Sequence, residues 1–184
     1  MKKSLFALAP LGLLLLVANN ALAANNAQIT ITGSVVATSC DINLSTTSLD
    51  LGNVAQLAFA AALTPVASSQ RDFSLTLSNC GTPDASQVAQ VQVTGPVLPG
   101  QTNIFNSDTT RNTGVMISNA STPSVYIENN EVLDIATADG TDPDASDFDG
   151  QRLNLRAGLA STTTTANVDL GGVAAPILFN FITN

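Results

Sequence analysis

Every second residue in the first part of AQITITGSVVATSC, residues 27–40, falls on one side of an extended chain. Ala27, Ile29, Ile31, Gly33 and Val35 form an apolar or small face, and Gln28, Thr30, Thr32 and Ser34 form a polar one. The β-branched residues suit a strand. One apolar face has to be covered by something, yet the segment lies close to a chain end, where order depends on being tied down. Two readings follow. It is an ordinary first strand paired within its own sheet, or it is a strand made for the sheet of another molecule.

What precedes this segment reads as a targeting signal. Lys2 and Lys3 are followed by the apolar run Leu5–Val17 and by the small-x-small site Ala21-Leu22-Ala23. That pattern predicts a secretory signal peptide over residues 1–23, with cleavage between Ala23 and Ala24. The apolar run is short for a membrane span and no stop-transfer pattern follows it, so no membrane anchor is expected in the mature chain. Cleavage removes both lysines. Arg71, Arg111, Arg152 and Arg156 are then the only basic side chains against 14 acidic residues. A chain so acidic is a poor partner for nucleic acid or for an anionic membrane surface.

Export gives the two cysteines, Cys40 and Cys80, an oxidising compartment, and an even pair there predicts one structural disulfide. A catalytic thiol pair would more often be a close C-x-x-C. The remaining chain reads as short strands and turns. Asp72–Cys80 alternates through Phe73, Leu75 and Leu77, Gln87–Thr94 through Val91 and Val93, and Arg152–Ala160 through Leu153, Leu155, Ala157 and Leu159. Thr46–Val54 alternates at Leu49 and Leu51 before a Gly52-Asn53 turn signal, and Gly114–Ser118 and Ser124–Glu128 are two further short runs. Gln56–Leu63 is the one weakly helical window, and Pro176–Asn184 (PILFNFITN) closes the chain with dense apolar residues. Many short strands separated by Ser, Thr, Asn, Asp and Gly predict an all-β sandwich or barrel. The two apolar terminal segments both need partners, and a long unpaired apolar edge invites association with other chains.

Chemistry is thinly supplied. Without histidine there is no Ser-His-Asp or Cys-His site, and the commonest metal ligand is missing. The acidic stretch Asp134–Gly150 holds Asp134, Asp139, Asp142, Asp144, Asp147 and Asp149. Calcium is the obvious ligand to consider, but an EF-hand loop starting at Asp142 would put Asp147 at its turn-glycine position and Leu153 at its closing glutamate. Turn-forming aspartates on a solvated loop are the expected reading. Tyr126 is the only tyrosine and tryptophan is absent, so an aromatic sugar-binding platform is poorly provided. No cofactor and no enzymatic activity are expected.

The ordered set of motifs ITITGSVVATSC, SLDLGNV, FSLTLSNC, LNLRAGLAS and a terminal β-strand resembles the structural pilins of the chaperone–usher pathway, the type 1 fimbrial subunit family. The resemblance covers essentially all of the chain after the signal peptide. It implies an incomplete immunoglobulin-like sandwich over residues 38–184 that lacks its last strand, preceded by a donor extension over residues 24–37. Ala27, Ile29, Ile31, Gly33 and Val35 would then insert into the groove of a neighbouring subunit. Phe179, Phe181 and Thr183 would belong to the strand that lines the groove and meets a periplasmic chaperone; the family usually carries an aromatic residue where Thr183 stands. Neighbouring subunits, that chaperone and an outer-membrane usher are the implied partners, and a fibre on the bacterial surface that supports adhesion is the implied product. A pilus-tip or self-complete binding module of the same fold is the rival reading.

Overall fold

The computed structural model describes residues 39–184. The signal peptide, its cleavage point at Ala23 and Ala24, and the alternating residues Ala27, Ile29, Ile31, Gly33 and Val35 lie outside the described residues. Strands β1 (Asp41–Leu44), β2 (Arg71–Ser78), β3 (Val88–Thr94), β4 (Thr113–Asn119), β5 (Val132–Thr137), β6 (Arg152–Ser161) and β7 (Leu178–Thr183) follow in chain order, with only single 3₁₀ turns between them. They form two antiparallel sheets, one in the order β1-β2-β6-β4 and the other β5-β3-β7.

The period-two patterns explain which faces meet. Leu75 and Leu77 of β2, Leu155 of β6 and Ile117 of β4 point inward from the first sheet, and Val91 and Val93 of β3 from the second; all are essentially sealed from water. Register keeps these residues level. Leu75 stands opposite Leu153, Leu44 opposite Leu75, and Val93 opposite Phe179. A one-residue slip of any strand would turn its leucines or valines outward, so the apolar pattern fixes the pairing. Gly114 has a separate reason to be glycine. A Cβ there would lie 2.6 Å from Ile104 Cγ2 and 2.7 Å from the Phe105 carbonyl oxygen, because that segment crosses directly over β4.

Cys40 and Cys80 form a disulfide with Cα atoms 4.2 Å apart. The bridge joins the start of β1 to the end of β2, just beyond the Asp41–Ser78 pair.

The elements depart from the sequence reading in several places, β1 among them, which none of the expected alternating runs covers. Thr46–Val54 joins neither sheet; Asp50 Oδ1 accepts the Gly52 N–H at 2.8 Å and Gly52 adopts φ +76°, so a local turn replaces a strand. Ser124–Glu128 contributes a single bridge, Ser118 with Tyr126, rather than a strand. The missing strand is instead β5, where Leu133 and Ile135 alternate with Val132 and Asp134. The weakly helical window does hold a short helical turn, the 3₁₀ turn Gln56–Ala58.

Where β2 begins, the chain bends away from β6 and a side chain takes over the ladder. Buried Ser69 accepts the Leu159 N–H at 2.9 Å and donates its hydroxyl to the Val66 carbonyl at 2.7 Å. Ser69→Ala is therefore expected to strand the Leu159 N–H and cost about 1–3 kcal/mol. Urea unfolding measures this, and an unchanged midpoint would mean that another acceptor takes the Leu159 N–H.

Candidate functional site

Strand β7 pairs with β3 along one edge, and its other edge has no strand partner among the described residues. Its side chains alternate. Ile177, Phe179 and Phe181 turn toward the core but stay half-buried, whereas Leu178 is 61% exposed on the opposite side. Facing this edge across a gap are Leu44, at the end of β1, and the irregular stretch 45–54 that follows it; Leu44, Leu49 and Leu51 also pack inward and are also half-buried. Two rows of core-facing residues thus flank a trough that neither row closes.

The trough has a volume of about 1030 Å³. Its floor is apolar, made by Phe73 of β2, Val115 and Ile117 of β4, and Ala157 and Leu159 of β6. Phe73 and Phe179 meet edge to face across it, with ring centroids 6.1 Å apart. Phe179 therefore lines the trough directly. Phe181 packs against the core beyond it, and Thr183 pairs with Ala89 at the end of β7. The structure brings Phe179 and Phe181 onto one face. Thr183 falls on the same alternation and is half-buried.

The other end of the trough is built by residues that sequence patterns could not single out. Gln56 Nε2 donates to the Val168 carbonyl at 2.6 Å and lies 3.3 Å from that of Ala166. Beneath this tie Phe59, Val66 and Val168 form a small buried cluster, with Val54 and Leu159 packed on it. The wall leading into β7 is tied down as well. The Asn112 N–H donates to Asp169 Oδ2 and the Asp169 N–H donates to Asn112 Oδ1, both at 2.8 Å. Arg111 pairs with Asp108 at 3.1 Å and donates to the Leu170 carbonyl. These residues sit on irregular segments, where no periodicity marks them.

The acidic stretch is a set of turn-shaping acceptors. Asp139 Oδ1 accepts the Thr141 and Asp142 N–H groups, Asp144 Oδ1 accepts the Ser146 N–H and hydroxyl, and Asp147 Oδ2 accepts from the Asp139 and Asp144 N–H groups. Asp149 Oδ1 accepts the Cys80 N–H at 2.9 Å, and Asp134 accepts from Gln90. Among the described residues no three acidic or cysteine side chains are grouped to hold a metal ion.

These bonds also set a pH response. The Thr141 and Asp142 N–H groups lower the Asp139 pKa, the Ser146 hydroxyl and N–H lower that of Asp144, and the Thr110 hydroxyl and N–H lower that of Asp108. On the outer face of the first sheet the Arg156 guanidinium, bonded at 2.6 Å, holds Asp72 below its usual range. A carboxylate depressed on folding stabilises fully above its unfolded pKa and loses that contribution as pH falls through the folded value. Stability is therefore expected to be level between about pH 5 and 7 and to fall below about pH 4. Urea midpoints across that range check it, and a midpoint that rises on acidification would contradict it.

No protein-family model matches the chain, and no curated protein sequence does. Among solved structures the chain is similar to the P pilus rod subunit PapA, with a TM-score of 0.51 and 17% identity over 84% of this chain and 97% of that one. It also matches a chain from a chaperone–usher pilus at a TM-score of 0.48 and 19% identity, over 88% of this chain and 97% of that one. The chain thus shares the immunoglobulin-like sandwich fold of that pilus rod subunit, and among the described residues an open trough runs beside β7.

Proposed function

We propose that this protein is a pilus subunit that polymerises by donor-strand exchange, with Ala27, Ile29, Ile31, Gly33 and Val35 of one copy entering the trough of the next. The carrying observation is the edge of β7 that has no strand partner among the described residues, above an apolar trough of about 1030 Å³. An added strand would satisfy that edge with main-chain hydrogen bonds while its alternate side chains cover the floor. The N-terminal segment supplies such side chains and carries no charge from Ala24 to Cys40, in a chain where acidic residues heavily outnumber basic ones. The protein works through no chemical reaction. Before assembly a periplasmic chaperone lends the missing strand, an outer-membrane usher delivers the subunit, and the product is a surface fibre that supports adhesion.

The test compares the chain from Ala24 onward with one lacking Ala24–Val36, each expressed in the periplasm with and without a candidate chaperone. The longer chain is expected to form SDS-resistant oligomers. The shorter one is expected to be monomeric and soluble only alongside the chaperone. If both are monomers without a chaperone, and the deletion unfolds the domain, the strand completes its own sheet and the binding-module reading replaces this one.

A further inference from the structure

We infer that the end of the domain carrying Leu57 and Leu170 is a second interface between copies of this chain, on which the folded body of the strand-donating copy seats. The inference rests on the donor-strand reading and adds where that body lies. The strand ends define two poles. At one, β2 ends and β3 begins, close to the Cys40–Cys80 bridge; at the other, β2 and β4 begin and β6 ends. The trough reaches the second pole, where Gln56, Val168 and Leu170 line it. Residues 51–70 and 157–168 meet there and hold no charged side chain, in a chain with 14 acidic residues. The Thr165 N–H donates to the Phe59 carbonyl at 3.0 Å, and the Leu63 N–H to that of Ser161 at 2.8 Å. Among the described residues, Leu57 at 73% exposure, Leu170 at 71% and Leu63 at 45% are half of the exposed large hydrophobic side chains, and all three stand on this pole. Clustered exposure of that kind marks a contact surface, where single exposed leucines do not. Asp50, Asp108 and Asp169 border the pole, and each is already engaged, by the Gly52 N–H, by Arg111 and by the Asn112 N–H.

Strand direction and chain length decide what covers this pole. Every strand pair in the two sheets is antiparallel, and antiparallel pairing is the more stable per residue. β7 begins at the uncharged pole, where Leu178 pairs with Thr94 at the end of β3. A strand added antiparallel to β7 therefore runs toward that pole and leaves the trough beside Leu170. Only Val36, Ala37 and Thr38 separate Val35 from Ser39, so the two are within about 14 Å even when the link is fully extended. Ser39 accepts the Gly81 N–H beside the disulfide, which places the donor copy's first pole against the acceptor's second. That first pole is acidic. Asp41 and Asp149 flank the bridge, and the turns shaped by Asp139, Asp144 and Asp147 close the same end of the sheets. Two acidic ends brought together would repel, whereas an end without free carboxylates accepts an acidic one and has its leucines covered by it.

The test uses fibres of the chain from Ala24 onward, dissociated in urea at low and at high salt. Leu57→Asp with Leu170→Asp sets new carboxylates against the acidic pole. These fibres are expected to dissociate about tenfold faster than unaltered ones at low salt, and less than about threefold faster at about 1 M salt, where the repulsion is screened. Leu57→Lys with Leu170→Lys offers the opposite charge and is expected to dissociate no faster than the unaltered fibres at low salt. The lysine pair also shows that both sites tolerate a charged side chain in the folded domain. Val125→Asp, at a side chain 62% exposed beside the Ser118–Tyr126 bridge, is expected to stay within about twofold. Unchanged rates for the aspartate pair, or an acceleration that salt does not reduce, would overturn the inference. So would equal damage from the lysine pair, the result expected if this pole met its like on another copy, or equal damage from Val125→Asp. Failure of the donor reading shows itself separately, as SDS-resistant fibres from the chain lacking Ala24–Val36.

Discussion

A chain carrying Ile31→Asp is expected to fold normally and to form no fibres at neutral pH. Ile31 sits centrally in the alternating face, flanked by Ile29 and Gly33. On the donor-strand reading, removing the Ile31 side chain forgoes about 1.5–3 kcal/mol of apolar burial at the joint. The aspartate must then enter the trough either charged, which is far costlier, or protonated, as buried carboxylates do. Protonating a group of pKa about 3.9 at pH 7 costs about 4 kcal/mol. Together these weaken the joint by about 6 kcal/mol, roughly four orders of magnitude in affinity. Thr32→Asp is the matching control. It adds the same charge one position away, on the polar face, and is expected to assemble within about tenfold of the unaltered chain. Acidification to about pH 4 should recover part of the Ile31→Asp defect and leave Thr32→Asp unmoved. Electron microscopy with SDS resistance of the oligomers reads the outcome. Fibres from Ile31→Asp at pH 7, or equal damage from both substitutions, would mean that the odd-numbered face does not enter the trough.

The sheets were legible in the sequence where one face alone is buried, and illegible where burial is shared or the backbone is irregular. Leu75 and Leu77, Val91 and Val93, and Leu153 and Leu155 announce their strands because a strict period of two has no other economical meaning. β5 is hard to see in the sequence because Asp134 belongs to the acidic stretch, and because its alternation breaks at Ile135 and Ala136, where the register with β3 shifts. Its signal was present in Leu133 and Ile135. Thr46–Val54 misled in the opposite direction. Leu49 and Leu51 alternate because both pack on the core, yet the backbone between them joins no sheet, and this is the wall of the trough rather than a strand. The open trough is a tertiary property. Its floor combines Phe73, Val115 and Leu159 from three strands, and its far end depends on Gln56 reaching Val168 across 112 residues of sequence. No local pattern encodes such a meeting. The turn chemistry of the acidic stretch is visible in aspartates such as Asp139 and Asp144, which bond to N–H groups two or three residues on, but that Asp149 reaches the backbone N–H of Cys80 is a tertiary contact with no local signal.

That reach bears on the second large effect, which lies at Cys40–Cys80. Replacing both cysteines by serine is expected to destabilise the folded domain by about 4 kcal/mol, the chain-entropy figure for a loop closed by residues 40 apart. Small domains have about 5–15 kcal/mol of stability in all. A sandwich with one strand position uncovered has less apolar burial to draw on, so the loss is a large fraction of the whole. The consequence is also local. β1 is only Asp41–Leu44, and among the described residues its one strand partner is β2. So short an edge strand holds its place through four cross-strand pairs and the covalent tie at its start. Without that tie β1 frays first, Leu44 and the following Leu49–Leu51 wall lose their anchor, and the trough loses one side. Assembly should therefore fail before global unfolding becomes measurable. At a urea slope of about 1–3 kcal/mol per molar, the midpoint of the double serine variant should fall by more than about 1 M. Hydrogen exchange should show Asp41–Leu44 opening while β3 and β6 remain protected. A variant with an unchanged midpoint and normal fibres would show that strand pairing alone holds β1, and that the disulfide contributes neither to the fold nor to the groove wall.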